Sequence, residues 1–305
     1  PQPPSLVYEG FLVKGSALAG RGSGKGWKEG SVWEEVSFRN VYYVKPGGLS
    51  FPGIRSEGGF AEREHYEGRG AVAREVSGES LELLTRAGGE LWFSVLVRNK
   101  DTSSTFESQV FLLASEPLRD DNSSHRELLA YDLGSTLAVG FLFDVRGLFG
   151  ASAVRAVAFN GNSDGCGRPL VSSGAYRISN QAKVHLVVGR VKWAAQAGSK
   201  HEISLWVLLP QDNIAAEAPV PLGEPFAKLL FDLDQSKLRY ITFGGRRWAG
   251  FDEIRFGTKA EEVGVTLEKK TSFRRGDVNA DGKMDLADSI FLLQCLFAGA
   301  EPPVC

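Results

Sequence analysis

A chain of 305 residues with 43% hydrophobic and 24% charged residues has the composition of a globular protein, long enough for one large domain or for one domain with a small appendage. The net charge is −2 and no Lys/Arg block exceeds two or three residues, which excludes the basic footprint of a nucleic-acid binder. No apolar run reaches the ~18 residues that a membrane helix needs, so no membrane span is expected.

The chain opens Pro1-Gln-Pro-Pro4, a Pro-rich leader over residues 1–5, and its single methionine is Met284. A removed signal peptide or a start inside a longer protein is the expectation. From Leu6 to Gly257 the pattern is of strands. Leu91, Phe93, Val95 and Val97 alternate with Trp92, Ser94 and Leu96, and Ile203, Leu205 and Val207 alternate with Ser204 and Trp206. Residues 184–193 are rich in β-branched side chains, and further runs cover 6–13, 41–44, 110–113, 137–145, 154–159, 240–243 and 251–256. Period two and β-branched enrichment predict strands. Breaks rich in Gly, Ser, Asn and Asp separate them at 19–26, 161–167 and 172–174.

Many strands without alternating helices predict a mainly β fold: an antiparallel two-sheet sandwich over residues 6–257, large enough for a jelly roll with long loops. Residues 258–271 read as a charged connector, with a possible helical turn over Lys259–Val263. A small C-terminal calcium loop-helix unit is expected over 272–305.

That unit carries the most specific motif. Asp277-Val-Asn279-Ala-Asp281-Gly282-Lys283-Met-Asp285-Leu-Ala-Asp288 places oxygen side chains at loop positions one, three, five, nine and twelve, with Gly at six. Calcium takes six to eight oxygens around one point and needs a sharp turn to gather them. Asp277, Asn279 and Asp281 would supply the first three ligands and the Lys283 carbonyl a fourth. Asp285 would bind directly or through water, and Asp288 would close the site. The segment that follows is apolar almost all round, with Leu286, Ile290, Phe291, Leu293, Leu296 and Phe297 as candidate assembly contacts. A helix apolar on every side needs burial on every side. Its own main domain is the first expectation for the cover, and another chain is the competitor. Aspartate at position twelve, the Gly276-Asp277 start and the apolar helix resemble one repeat of a type I dockerin. A dockerin has two such repeats packed together, and this sequence shows one.

Catalytic patterns are missing. Glu34-Glu35, Glu62-Arg-Glu64, Asp232-Leu-Asp234 and Asp252-Glu253 are the nearest acid groups, and all read as solvated strand or turn charges. His65, His125, His185 and His201 are scattered without metal spacing, and no G-x-S-x-G elbow occurs. Gly20–Gly26 lacks the spacing of a phosphate loop and reads as a flexible hairpin or loop. No catalytic residue is therefore expected. Trp27, Trp33, Trp193, Trp206 and Trp248 are candidate sugar platforms, although aromatics in a sandwich are more often core. Trp92 and Trp206 interrupt the apolar alternation and are expected to face outward or into a second layer. Cys166, Cys295 and Cys305 are odd in number, so one thiol stays free or pairs outside the chain, and Cys295 reads as a core residue. Asn122, in Asn122-Ser-Ser124, is the single glycosylation candidate.

The strand region resembles the concanavalin A-like lectin/glucanase superfamily in its laminin-G-like branch, in secreted bacterial proteins that carry the domain before a dockerin repeat. The residues that carry the resemblance are Gly26-Trp27, Trp33, Gly47–Gly53, Gly58-Gly59, Glu90–Leu96, His185–Arg190, Ile203–Val207 and Phe251–Gly257. It implies a jelly roll whose relatives include sugar binders, adhesion modules and glycosidases. The glycosidase branch uses an E-x-D-x-x-E strand, which this sequence lacks. The reading is a non-catalytic extracellular or cell-surface protein. Calcium stabilises its tail, which attaches it to other protein subunits or a surface scaffold, with glycans as further candidate partners. A subunit of an extracellular filament, and a carbohydrate-binding module or degenerate glycosidase, are the alternatives.

Overall fold

The computed structural model describes residues 5–12, 17–36, 42–54, 56, 58–63, 70–99, 108–117, 119–120, 131–132, 136–144, 153–161, 170–171, 174–177, 183–196, 198–210, 219–245, 249–267 and 286–298. In chain order the elements begin β1 (Val7–Glu9), β2 (Glu34–Glu35), β3 (Tyr42–Pro46), β4 (Gly59–Arg63), β5 (Gly70–Glu75), α1 (Gly78–Leu84), β6 (Glu90–Asn99) and β7 (Ser108–Ala114). They continue β8 (Arg119–Asp120), β9 (Tyr131–Asp132), β10 (Leu137–Asp144), β11 (Ala153–Asn160), β12 (Leu170–Val171), β13 (Tyr176–Arg177), β14 (Val184–Lys192) and β15 (His201–Leu208). The last are β16 (Val220–Leu222), β17 (Ala227–Phe231), β18 (Tyr240–Gly245), β19 (Ala249–Gly257), β20 (Val265–Leu267) and α2 (Leu286–Phe297).

The strands form two eight-stranded sheets, antiparallel throughout. Sheet I runs β17-β15-β14-β6-β19-β4-β3, with β1 also on β19. Sheet II runs β12-β11-β10-β7-β18-β5-β2, with β13 on β11. The alternation seen in the sequence decides which side chains meet. Phe93, Val95 and Val97 of β6 join Phe111 and Leu113 of β7, Phe141 of β10 and Phe243 of β18 in one core cluster. Aromatic rings tie the two sheets together, with Phe93–Phe111 centroids 5.8 Å apart and Phe243–Phe251 4.6 Å apart. The predicted mainly β, two-sheet antiparallel sandwich is thus the fold of the strand region.

Close packing constrains one glycine in particular. Gly189 on β14 lies opposite Phe93, and a Cβ at Gly189 would overlap the Phe93 ring. Gly189→Ala is expected to cost about 1–3 kcal/mol by overpacking. Gly78→Ala, where nothing lies within 4 Å of the new Cβ, serves as the neutral control in urea denaturation.

Side chains on the outer face of sheet I are also buried. Trp92, Leu96, Leu186, Val188 and Trp206 form a second cluster with Leu49, Phe51 and Ile54 of the 49–54 loop, with Val220 and Leu222 of β16, and with Ala260, Val263 and Val265. The predicted connector over 258–271 is therefore built in part into the sandwich. Residues Ala260–Val263 form a 3₁₀ turn, Val263 and Val265 are fully buried, and β20 pairs with β16. Charged Glu261 and Glu262 made this stretch look like a linker, but its apolar positions fill the outer layer. Strands β4, β5 and β17 and the helix α1 carry no sequence signal strong enough to have been predicted.

The chain divides into two compact units, residues 1–266 and 267–305. Of the second unit the described part is α2 and Ala298.

Candidate functional site

In the tail unit, α2 begins at Leu286, so Asp288 stands in its first turn. That is where the last ligand of a calcium loop belongs, because the loop overlaps the start of the exiting helix. Asp288 is 4% exposed, withdrawn from solvent and engaged in polar contact. The apolar side chains around it are not withdrawn. Leu286, Ile290, Leu293 and Phe297 follow the four-three-four spacing of one helix face and are 75%, 49%, 55% and 82% exposed. Leu292 and Leu296 extend the exposed apolar surface, and Phe291 is half-buried. No other side chain described in α2 is buried. The cover that the sequence calls for is therefore not supplied by the described residues of the tail itself. Asp277, Asn279, Asp281, Lys283 and Asp285 lie outside the described residues, as do Asn122, Cys166, Cys305 and Trp248, and the same holds for the Cys295 side chain. The donor set is hard oxygen throughout, which fits calcium and not a softer metal.

In the sandwich, several acids read from sequence as solvated are buried. Glu62 is 4% exposed and pairs with Arg98 at 2.8 Å. Asp252 and Glu253 are both buried because β19 bulges between Asp252 and Arg255. Phe251 and Ile254 both keep the inner face, so the two residues between them leave it, and Glu253 takes a φ of +50°. Asp252 Oδ2 accepts from the Leu49 N–H at 2.7 Å and the Ser56 hydroxyl at 3.1 Å, and Oδ1 accepts from the Glu253 N–H at 2.8 Å. Burial, with the Glu253 charge beside it, pushes the Asp252 carboxyl up to about 8. Glu253 accepts from Arg255 at 2.7 Å and from the Tyr8 hydroxyl at 3.1 Å. These contacts hold the Asp252 and Glu253 carboxylates within the fold.

Both strand histidines are buried. His201 accepts from the Ala194 N–H at 2.9 Å, and its other ring nitrogen lies 2.9 Å from the Leu233 carbonyl. His185, expected to be exposed or hydrogen-bonded, is fully buried, with its ring edge-on to Phe143 at 5.4 Å. Neither ring nitrogen makes a hydrogen bond of good geometry, and the two amide atoms of buried Gln109 are unsatisfied as well. Burial pushes the His185 imidazole down to about 4. The folded state therefore resists a proton that the unfolded chain takes up below the ordinary value of 6.5. Stability contributed at this position is complete above pH ~6.5 and is lost as the pH falls towards 4, by on the order of 3 kcal/mol. The stability difference between wild type and His185→Leu should shift by that amount between pH 7 and pH 4. A pH-independent difference would show that His185 does not titrate in this range.

The described tryptophan candidates belong to the packing. Trp33 and Trp193 are buried, and Trp27 is 9% exposed with its ring 5.3 Å from Trp33. Trp92 and Trp206 stack at 5.8 Å on the outer face of sheet I beneath the second layer, 2% and 5% exposed. Arg190, which the sequence reading passed over, sets its guanidinium 5.4 Å from the Trp92 ring centre and 5.8 Å from that of Trp206. The loop over 20–26, read as flexible, is held by a backbone bridge between Tyr8 and Lys25 and by Arg74, which donates to the Ser23 carbonyl at 2.7 Å. An open groove of about 650 Å³ runs beside α1, lined by Lys28, Glu75, Glu82, Arg86 and Arg239 over Val76 and Leu81. Its Lys28–Glu75 pair closes at 2.7 Å, and no aromatic side chain lines it.

No family model and no curated protein matches this sequence. Among solved structures, the chain is similar to the potassium-bound carbohydrate recognition domain of Emp46p (10% identity, 77% of this chain and 89% of that one, TM-score 0.42). It is similar to lectin II from Ulex europaeus (10% identity, 75% and 93%, TM-score 0.41). It is also similar to the globular domain of T. cruzi calreticulin (11% identity, 85% and 85%, TM-score 0.39). At these identities and TM-scores none of them assigns this chain a ligand or an activity.

Proposed function

We propose that this is a non-catalytic extracellular or cell-surface protein whose sandwich is presented by a calcium-stabilised, dockerin-like tail that attaches it to other protein subunits. One observation carries the reading: on α2, Asp288 is withdrawn from solvent while six large apolar side chains stand out into it. Asp288 stands at position twelve of the loop spacing, so calcium held by Asp277, Asn279, Asp281, the Lys283 carbonyl and Asp285 would take it as the closing ligand. Each exposed Leu, Ile or Phe gains about 1.5–3 kcal/mol on full burial, so the helix surface favours a protein partner with a matching apolar face. A loop of this type with modest affinity suits the millimolar calcium of the cell exterior.

Calorimetric titration of calcium into the chelator-treated chain tests the reading, with light scattering at each step. One-site uptake that is lost in Asp281→Ala is the expected result. Growth in size that reverses on chelation would identify the partner as further copies of the chain, and a calcium-loaded monomer would point to a different protein surface. Absence of calcium uptake would overturn the proposal.

A further inference from the structure

The outer face of sheet I carries a second feature, independent of the tail. Directly opposed residues of antiparallel strands share a face. Lys228 on β17 opposes Ser204 on β15, Ser204 opposes Arg190 on β14, and Arg190 opposes Trp92 on β6. The next row runs Leu230, Glu202, Lys192, Glu90. In this second row Lys192 stands between two acids. The first row has two cations and no acid.

Arg190 differs from four other buried or half-buried arginines of the sandwich. Arg74 holds Glu9 at 2.7 Å, Arg98 holds Glu62 at 2.8 Å, Arg255 holds Glu253 at 2.7 Å, and Arg63 donates to the Gly245 carbonyl at 2.7 Å. Among the described residues, Arg190 pairs with no carboxylate. Its Nε is out of solvent without a partner, and its guanidinium is positioned against Trp92 and Trp206. Stacking on aromatic rings fixes a guanidinium without using its outer N–H groups, which remain a fork that matches a carboxylate. The two acids of the next row are oriented by their neighbours. Trp92 Nε1 donates to Glu90 Oε2 at 2.9 Å, and the Ser204 hydroxyl donates to Glu202 Oε1 at 3.2 Å. Each carboxylate keeps acceptor capacity for a hydroxyl. Small, buried Ser204 stands between Arg190 and exposed Lys228, whose strands lie two apart, about 10 Å.

We propose that this face binds a uronic acid, the carboxylate-bearing sugar of an acidic glycan. Arg190 takes the carboxylate bidentately, Lys228 adds charge, and Glu202 and Glu90 accept from ring hydroxyls. A fork with two acceptors beside it matches a ligand that is both acid and polyol, and neither a neutral sugar nor a bare oxyanion uses the whole set.

Titrating glucuronate into the ¹⁵N-labelled full chain tests this by NMR. The Arg190 Nε–H signal and the indole signals of Trp92 and Trp206 should shift together and saturate in the millimolar range. Glucose should leave them in place, and sulfate should bind at least several-fold more weakly than glucuronate. Arg190→Gln should weaken glucuronate binding tenfold or more. Arg190→Lys, which keeps the charge and loses the fork, should not restore it. Lys228→Gln, on an exposed side chain, should weaken binding several-fold and covers the case in which an Arg190 variant fails to fold. The proposal is overturned if glucuronate produces no saturable shift, if glucose shifts the same signals equally, or if sulfate binds as tightly as glucuronate. Wild-type affinity in Arg190→Gln or in Lys228→Gln would overturn it too.

Discussion

Glu9→Ala should lower the unfolding free energy of the sandwich by about 3–5 kcal/mol, the cost of leaving a buried charge without its partner. Glu9 is fully buried and collects four donors. Oε2 accepts from Arg74 at 2.7 Å and from Trp33 Nε1 at 3.1 Å, and Oε1 accepts from the Phe11 N–H at 2.9 Å and from the Ser23 hydroxyl. Arg74 is itself buried, with its guanidinium 4.5 Å from the Trp27 ring, and among the described residues it pairs with no second carboxylate. The short link to the Phe11 N–H also holds a residue whose φ is +49°, a conformation that a Phe adopts only where its surroundings enforce it. Truncation therefore strands Arg74, releases a strained turn and unties the 20–26 loop in one step. Urea denaturation followed by tryptophan fluorescence measures the loss. The double variant Glu9→Ala/Arg74→Met should recover part of it, because the uncompensated charge is then gone. A loss below about 1 kcal/mol in Glu9→Ala would mean that the knot is solvated and does not hold the sheet edge.

Withdrawal of calcium is expected to unfold the tail while the sandwich stays intact. A lone helix of twelve residues is marginal in water, and the described side chains of α2 show one buried residue to hold it. The four loop carboxylates, Asp277, Asp281, Asp285 and Asp288, would repel one another without a cation, so on this reading the loop and the first turn of α2 form together with the ion. At calcium a thousandfold above its dissociation constant, the proposed ion would contribute about 4 kcal/mol to the tail's stability. With chelator, the amide signals of residues 286–297 should collapse to random-coil positions while those of β6, β14 and β19 remain dispersed. Asp281→Ala should behave as the chelated protein does at any calcium level that keeps the sandwich folded. If α2 stays helical in excess chelator, the motif is a capped turn and the attachment reading falls with it.

The strand region shows how far local pattern reaches. Val95 and Val97 of β6, and Phe141 and Phe143 of β10, sit at alternate positions, and their period of two was enough to predict strands whose alternate residues fill the core. Short or glycine-rich pieces such as β4 and β17 left no such trace, because their burial comes from neighbours far away in the chain. Within the 258–271 connector, the buried positions escaped the sequence for the same reason. Its Val263 and Val265 find cover only once β16 and the 49–54 loop have been brought over sheet I.

Side-chain roles show the other limit. Asp252 and Glu253 looked like opposite-facing, solvated charges, and a bulge that depends on β6 and β4 pairing sends both off the inner face. His185 sits on a strand of ordinary composition, and its loss of solvent and partners comes from the Phe143 of the facing sheet. Arg190 lay between two tryptophans that are more than a hundred residues apart, and only the register of β6, β14 and β15 makes them neighbours.

By itself the sequence determined where the longer strands lie and that they build an antiparallel sandwich, because alternation and turn chemistry are local properties of the chain. It also spelled out a calcium-loop spacing, since those donors fall within one twelve-residue stretch from Asp277 to Asp288. The tertiary structure decided which polar residues are buried, which cations lack an anion and which apolar surface is left uncovered. Those properties depend on the register between distant strands and on the layers packed over them, and a one-residue change in register would exchange every one of these faces.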